Sequence, residues 1–96
     1  MPKAYFVACY REITDPAKLA AYGKLAAPAI EAAGGRFLAR GMPTHVYEDG
    51  RRERTVIVEF ESLAQGAAAY ASPAYQAALA ALGDGAVRDI RLIEGA

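Results

Sequence analysis

The chain has 96 residues, with eleven Lys and Arg balanced by eleven Asp and Glu. A domain of that length buries only about 60–65% of its unfolded surface, so association with a partner is expected, while charge balance removes the basic excess that nucleic-acid binding needs. No apolar run approaches the roughly 20 residues of a membrane span, and no basic segment followed by an apolar stretch and a cleavage site opens the chain, so the expectation is a cytoplasmic protein without membrane partners.

Ala4 to Tyr10 is a short apolar run rich in strand-forming residues. Thr14-Asp15-Pro16 supplies an N-cap followed by proline at the first helical position. Leu19, Tyr22, Ala26, Ala29, Ile30 and Ala33 then recur at helical spacing until Gly34-Gly35. Pro28 lacks the N–H that would bond to the carbonyl of Lys24, which predicts a kink or frayed turn between Gly23 and Pro28.

Arg36 to Arg40 reads as a second strand and Arg54 to Phe60 as a third, alternating like a half-buried strand, with Asp49-Gly50 as the tight turn of a long hairpin. Ser62-Leu63-Ala64-Gln65 is a capping-box pattern, and Ser72-Pro73 a second cap that restarts the helix through Tyr75, Leu79 and Leu82. Gly83-Asp84-Gly85 ends that broken helix, and Ala86 to Glu94 is the last strand. The order β-α-β-β-α-β predicts one α+β domain over residues 1–96: a ferredoxin-like, antiparallel four-stranded sheet with helices on one face.

Val56, Val58 and Phe60 share one side of the third strand, with Phe37 and Ala39 expected to join them under the helices. The first strand is apolar on both sides: Tyr5, Val7 and Cys9 on one, Phe6, Ala8 and Tyr10 on the other. Helices cover one face only, so the other is expected to meet a second copy and make a homodimer closed into a barrel.

The run Gly34-Gly35-Arg36-Phe37-Leu38, the Ser72-Pro73-Ala74-Tyr75 segment and the terminal Ile93-Glu94-Gly95, in the order in which they occur with Asp15, Tyr22 and Val56 to Phe60, resemble the bacterial family called domain of unknown function 1330. The resemblance covers nearly the whole chain and implies the dimeric α/β-barrel superfamily. That superfamily includes cofactor-independent monooxygenases, isomerases and haem-handling proteins, so the fold licenses no single reaction. Two departures stand out: Glu48-Asp49-Gly50 before the third strand, and Leu82 where many members carry an arginine. If that arginine lines a ligand site, this chain's site differs.

Gly34-Gly35 leads from helix to strand and reads as a helix C-cap, not a phosphate loop, and Ser72 reads as an N-cap, not a nucleophile. Cys9, the single cysteine, reads as an inert small hydrophobe of the core. His45, the single histidine, is a general-base candidate on the hairpin arm, and Arg51 to Arg54 reads as a solvated turn. One Cys and one His give no basis for a metal site, and no cofactor is expected.

If Asp49-Gly50 are the central residues of the hairpin turn, Met42 faces Ile57 and Arg40 faces Glu59. The expected site is therefore an Arg40–Glu59 ion pair on the face turned from the helices, with Tyr10, Tyr75 or His45 adding polar groups. The function these residues suggest is binding of a small, largely apolar ligand with a polar or anionic handle in a cavity at the sheet. The alternatives are a cofactor-independent isomerase, lyase or monooxygenase and a structural or regulatory interaction module.

Overall fold

The computed structural model describes residues 2–96. The chain forms strand β1 (Ala4–Ile13), helix α1 (Pro16–Ala32), strands β2 (Arg36–Gly41) and β3 (Thr55–Phe60), helices α2 (Leu63–Ala71) and α3 (Pro73–Leu82), and strand β4 (Ala86–Glu94). The strands make one sheet in the order β2-β3-β1-β4, with every neighbouring pair antiparallel. This is the ferredoxin-like α+β arrangement.

Local capping sets the helix boundaries. The Asp15 carboxylate accepts from the Ala17 and Lys18 backbone N–H groups at 3.0 and 3.2 Å, satisfying donors that the first helical turn leaves open. Ser62 Oγ accepts from Gln65 N at 3.1 Å, and Gln65 Oε1 accepts from Glu61 N at 2.7 Å. Ser72 breaks the second helix in two: its hydroxyl donates to Ala69 O at 2.7 Å and accepts from Tyr75 N at 3.3 Å. Gly34 closes α1 at φ 92°, a left-handed value that favours glycine.

No frayed turn interrupts α1, since the helix runs without a break through Pro28. Lys24 and Pro28 are both exposed, so water can take the Lys24 carbonyl that proline leaves open. Tyr22, Ala26, Ala29 and Ile30 are buried along the inner face, and that burial outweighs an interior-proline cost of about 3 kcal/mol.

The even residues of β1 and β3 form the helix-side core: Phe6, Ala8, Tyr10, Val56, Val58 and Phe60 are all buried. Tyr75, Ala78 and Leu82 of α3 and Ala69 of α2 close over them. Leu82, one of the two departures from the family pattern, is therefore a core residue. Cys9 lies with Tyr5 and Val7 on the opposite face, half-buried and paired with Thr55 and Asp89.

The hairpin departs most from expectation. Residues 42–54 lie outside the strands, and the tight turn is shifted: Gly50 N donates to Tyr47 O at 2.8 Å, and Glu48 takes a left-handed φ of 54°. The pairing of β2 with β3 starts as Arg36 with Glu59 and Phe37 with Val58, then skips Leu38 in a bulge, continuing as Ala39 with Ile57 and Arg40 with Val56. Directly paired antiparallel residues share a sheet face. The bulge therefore turns Ala39 to the open face and Arg40 to the helix face, the reverse of what was expected.

Candidate functional site

Between the helix side of the sheet and α1 lies a cavity of about 460 Å³. The sheet contributes Phe6, Ala8, Val56 and Val58 to its wall, and α1 contributes Leu19, Ala26 and Ile30. Small residues keep it open, because Gly23 and Ala26 face it where larger side chains would fill it.

Its polar groups are Tyr10, Tyr22, Arg40, Arg54 and Arg88. Arg88 on β4 pairs with Tyr10 on β1, so both point to the helix side. Its Nη1 donates to the Tyr22 hydroxyl at 2.9 Å, and its guanidinium lies 4.8 Å from the Tyr22 ring centroid and 5.6 Å from that of Tyr10. Such cation–π placement offsets part of the cost of a half-buried charge. Arg54 sits 5.9 Å from the Tyr10 ring on the other side, held beside β1 by the bond from Tyr10 N to Arg54 O at 2.9 Å. Arg40 lies over Phe37 at 4.6 Å.

Among the described residues, Arg40, Arg54 and Arg88 form no salt bridge; the ion pairs involve Lys3, Arg11, Lys18, Arg36, Arg51 and Arg91. No carboxylate lines the cavity either. Two half-buried guanidiniums, Arg54 and Arg88, and the exposed Arg40 thus line one apolar chamber without a carboxylate partner.

The Tyr22 hydroxyl also shares a 2.7 Å hydrogen bond with that of Tyr75. Burial raises the Tyr22 phenol above its ordinary pKa and the bond to Tyr75 adds to this, while Arg88 pulls the other way; the phenol is neutral at physiological pH. Burial opposes the charge of Arg88, and the oxygens of Tyr22 and Tyr75 more than offset it, so the group stays protonated.

The residues singled out from sequence divide between two faces. Arg40 and Tyr10 line the cavity, and Tyr75 stands behind Tyr22 with 2% exposure. Glu59 lies on the opposite face, where its carboxylate meets Arg36 at 3.1 Å, Lys3 at 3.4 Å and the Tyr5 hydroxyl at 3.3 Å. The expected Arg40–Glu59 pair does not form, because Arg40 is opposite Val56 across the bulge. His45 is exposed beside Tyr47, whose ring it stacks on at 6.4 Å, and takes no part in the cavity wall. Arg54, Arg88 and Tyr22 were missed as site residues. Parity could have found the arginines, since position 54 alternates with Val56 and Val58, and position 88 with Ile90 and Leu92.

An antiparallel sheet in the order β2-β3-β1-β4, helices on one face and a cavity beneath them define a ferredoxin-like α+β domain. The chain belongs to the family described as Domain of unknown function (DUF1330), which it matches over residues 3–96. No curated protein matches it by sequence. Among solved structures it is similar to a protein of unknown function from Rhodopseudomonas palustris, with 23% identity, a TM-score of 0.72 and coverage of 98% of this chain and 81% of that one. SnoaB, a cofactor-independent oxygenase from Streptomyces nogalater, aligns with 16% identity and a TM-score of 0.70 over 100% of this chain and 95% of its own. A nipsnap family protein of unknown function from Agrobacterium tumefaciens aligns with 20% identity and a TM-score of 0.62 over 99% and 89%. At these identities the shared property is the fold. No helix among the described residues is long and apolar enough to cross a membrane.

Proposed function

We propose that this protein is a cytosolic homodimer that binds a small, largely apolar anion in the cavity between α1 and the sheet. The observation that carries the reading is the convergence of Arg40, Arg54 and Arg88, none of them salt-bridged among the described residues, on an apolar chamber of about 460 Å³. Arg54 and Arg88 are half-buried and Arg40 is exposed at the rim; unmatched half-buried charge is costly, and an anionic ligand supplies the missing counter-charge while its apolar body covers the walls.

An enzymatic reading draws on the fold shared with a cofactor-independent oxygenase. Proton abstraction, however, needs an acceptor, and the described wall of this cavity holds neither carboxylate nor imidazole. Tyr22, neutral at physiological pH, does not substitute for one. Binding is therefore the better-supported function.

Titration with 1-naphthoate, followed by its fluorescence, tests the reading. Arg54→Gln removes a charge-assisted hydrogen bond of about 1.5 kcal/mol or more and should weaken naphthoate about tenfold, with 1-methylnaphthalene unaffected. Equal naphthoate affinity in variant and wild type refutes the anion site.

The homodimer rests on the open face. Across it Ala39, Ile57 and Val7 form an apolar row flanked by the Glu59 and Asp89 ion-pair clusters, and Ile93 is 60% exposed. An isologous contact would bury that row against its own copy. Sedimentation at micromolar concentration should give about twice the 10.2 kDa chain mass, and Ile57→Lys should dissociate or unfold the protein. A stable wild-type monomer contradicts this.

A further inference from the structure

We infer that the hydroxyl hydrogen of Tyr22 points into the cavity and that Tyr22 and Arg88 together seat the carboxylate of the ligand, an inference that rests on the binding reading above. It follows from counting hydrogens. Tyr75 is 2% exposed, and among the described residues the one acceptor bonded to its hydroxyl is the Tyr22 oxygen at 2.7 Å, since the neighbouring Arg88 guanidinium can only donate. The void of about 10 Å³ beside Tyr75 is walled by Phe6, Ile30, Phe60 and other apolar groups, and offers no set of polar partners to hold a water.

A phenol carries one hydrogen, and a buried donor left unpaired costs about 1–3 kcal/mol. Tyr75 therefore donates to the oxygen of Tyr22. A guanidinium has no acceptor, so Arg88 Nη1 also donates to that oxygen, at 2.9 Å. With both lone pairs of Tyr22 engaged, its own hydrogen must leave in another direction. It meets no acceptor among the described residues, and the side chain, 7% exposed, lines the cavity.

This end of the cavity is rich in donors. The Tyr22 O–H and the remaining N–H groups of Arg88 reach it from α1 and β4, the other polar side chain beside Arg88 is the phenol of Tyr10, and no carboxylate or imidazole lines the wall. A carboxylate accepts at both oxygens and so matches both donors. An alcohol or primary amide offers only a neutral acceptor and forgoes the charge-assisted bond to the guanidinium. The ligand class is therefore an aromatic or branched aliphatic monocarboxylate, selected over its alcohol and amide analogues.

Two measurements test this. Neutron diffraction from deuterium-exchanged crystals should place the Tyr75 deuterium on the line to the Tyr22 oxygen and the Tyr22 deuterium toward the cavity; a Tyr22 deuterium on the line to Tyr75 overturns the inference whether or not any ligand binds. Binding of 1-naphthoate, 1-naphthylmethanol and 1-methylnaphthalene to wild type, Tyr22→Phe and Tyr75→Phe is the second. Tyr22→Phe should lose tenfold or more toward naphthoate and less than twofold toward methylnaphthalene, with Tyr75→Phe within threefold of wild type for both. In the opposite orientation Tyr75→Phe would release the Tyr22 hydrogen and tighten naphthoate binding, and Tyr22→Phe would leave it unchanged. Wild type that binds methylnaphthalene but prefers naphthylmethanol to naphthoate refutes the carboxylate seat while leaving the cavity reading intact. Wild type that binds none of the three refutes both.

Discussion

Gly23 and Gly66 are both interior helical residues, yet replacing each with alanine should have opposite effects. In an exposed helix interior glycine costs about 0.8–1.0 kcal/mol relative to alanine, through the backbone freedom lost on folding. Gly23 lies in the middle of α1, is exposed at the edge of the cavity, and a Cβ added there meets nothing within 4 Å. The full propensity gain should therefore be realised: Gly23→Ala is expected to stabilise by about 0.8 kcal/mol, or roughly 3–6 °C in Tm for a domain of this size. Gly66 in α2 carries the same intrinsic gain, but its Cβ would stand 2.8 and 3.3 Å from the two Leu92 methyls and 3.3 Å from the Phe60 ring. Overpacking of that kind costs about 1–3 kcal/mol, which exceeds the gain, so Gly66→Ala should destabilise. Urea unfolding of both variants and wild type at one protein concentration measures the two signs. Loss of stability in Gly23→Ala, or a gain in Gly66→Ala equal to that in Gly23→Ala, would refute the packing on which the cavity and core descriptions rest.

Ser72→Ala removes the cap of α3 and the hydroxyl bond to Ala69, and should cost about 1 kcal/mol in chemical unfolding with naphthoate affinity unchanged. Affinity lost at unchanged stability would show that the serine serves the ligand. The raised pKa of Tyr22 has a consequence at high pH. Below the unfolded phenol value of about 10 its stabilising contribution is fully present, and it is lost as pH rises through the higher folded value, because the unfolded chain ionises first. Tyr22→Phe should therefore flatten the fall of stability between about pH 10 and 12, and identical slopes would contradict the assignment. At the acid end, the Asp84 carboxylate is held below its ordinary value by its hydrogen bond and charge contact with Lys18 at 2.6 Å. Asp84→Asn should remove a small, salt-sensitive contribution present above the unfolded carboxylate value of about 4 and lost below it, so equal salt dependence of wild type and variant at neutral pH would count against the pair.

Much of the architecture is written in short-range rules. Asp15-Pro16, Ser62 and Ser72-Pro73 cap helices through bonds to N–H groups two or three residues onward, and such bonds depend on neighbours in sequence alone. The same holds for the alternation of Val56, Val58 and Phe60 and for the two apolar sides of β1, since the strand period is fixed at two. Those features sufficed for the element order, the broken second helix and the ferredoxin-like class. What they could not settle was any placement that depends on how distant strands close on one another. The long excursion of residues 42–54 displaces the register so that Glu59 faces Arg36 and not Arg40, and the single residue skipped at Leu38 then turns Arg40 to the cavity side, with no local change in sequence to announce either. Arg54 and Arg88 show the right parity but are 34 positions apart in the chain, and only the placement of β1 between β3 and β4 brings them to either side of Tyr10. Tyr22 looked like one more member of an apolar helix face. Its role follows from Tyr75 and Arg88 reaching the same oxygen from α3 and β4, because hydrogen-bond direction is decided by the partners a buried group is left with, and those are a property of the packed tertiary structure.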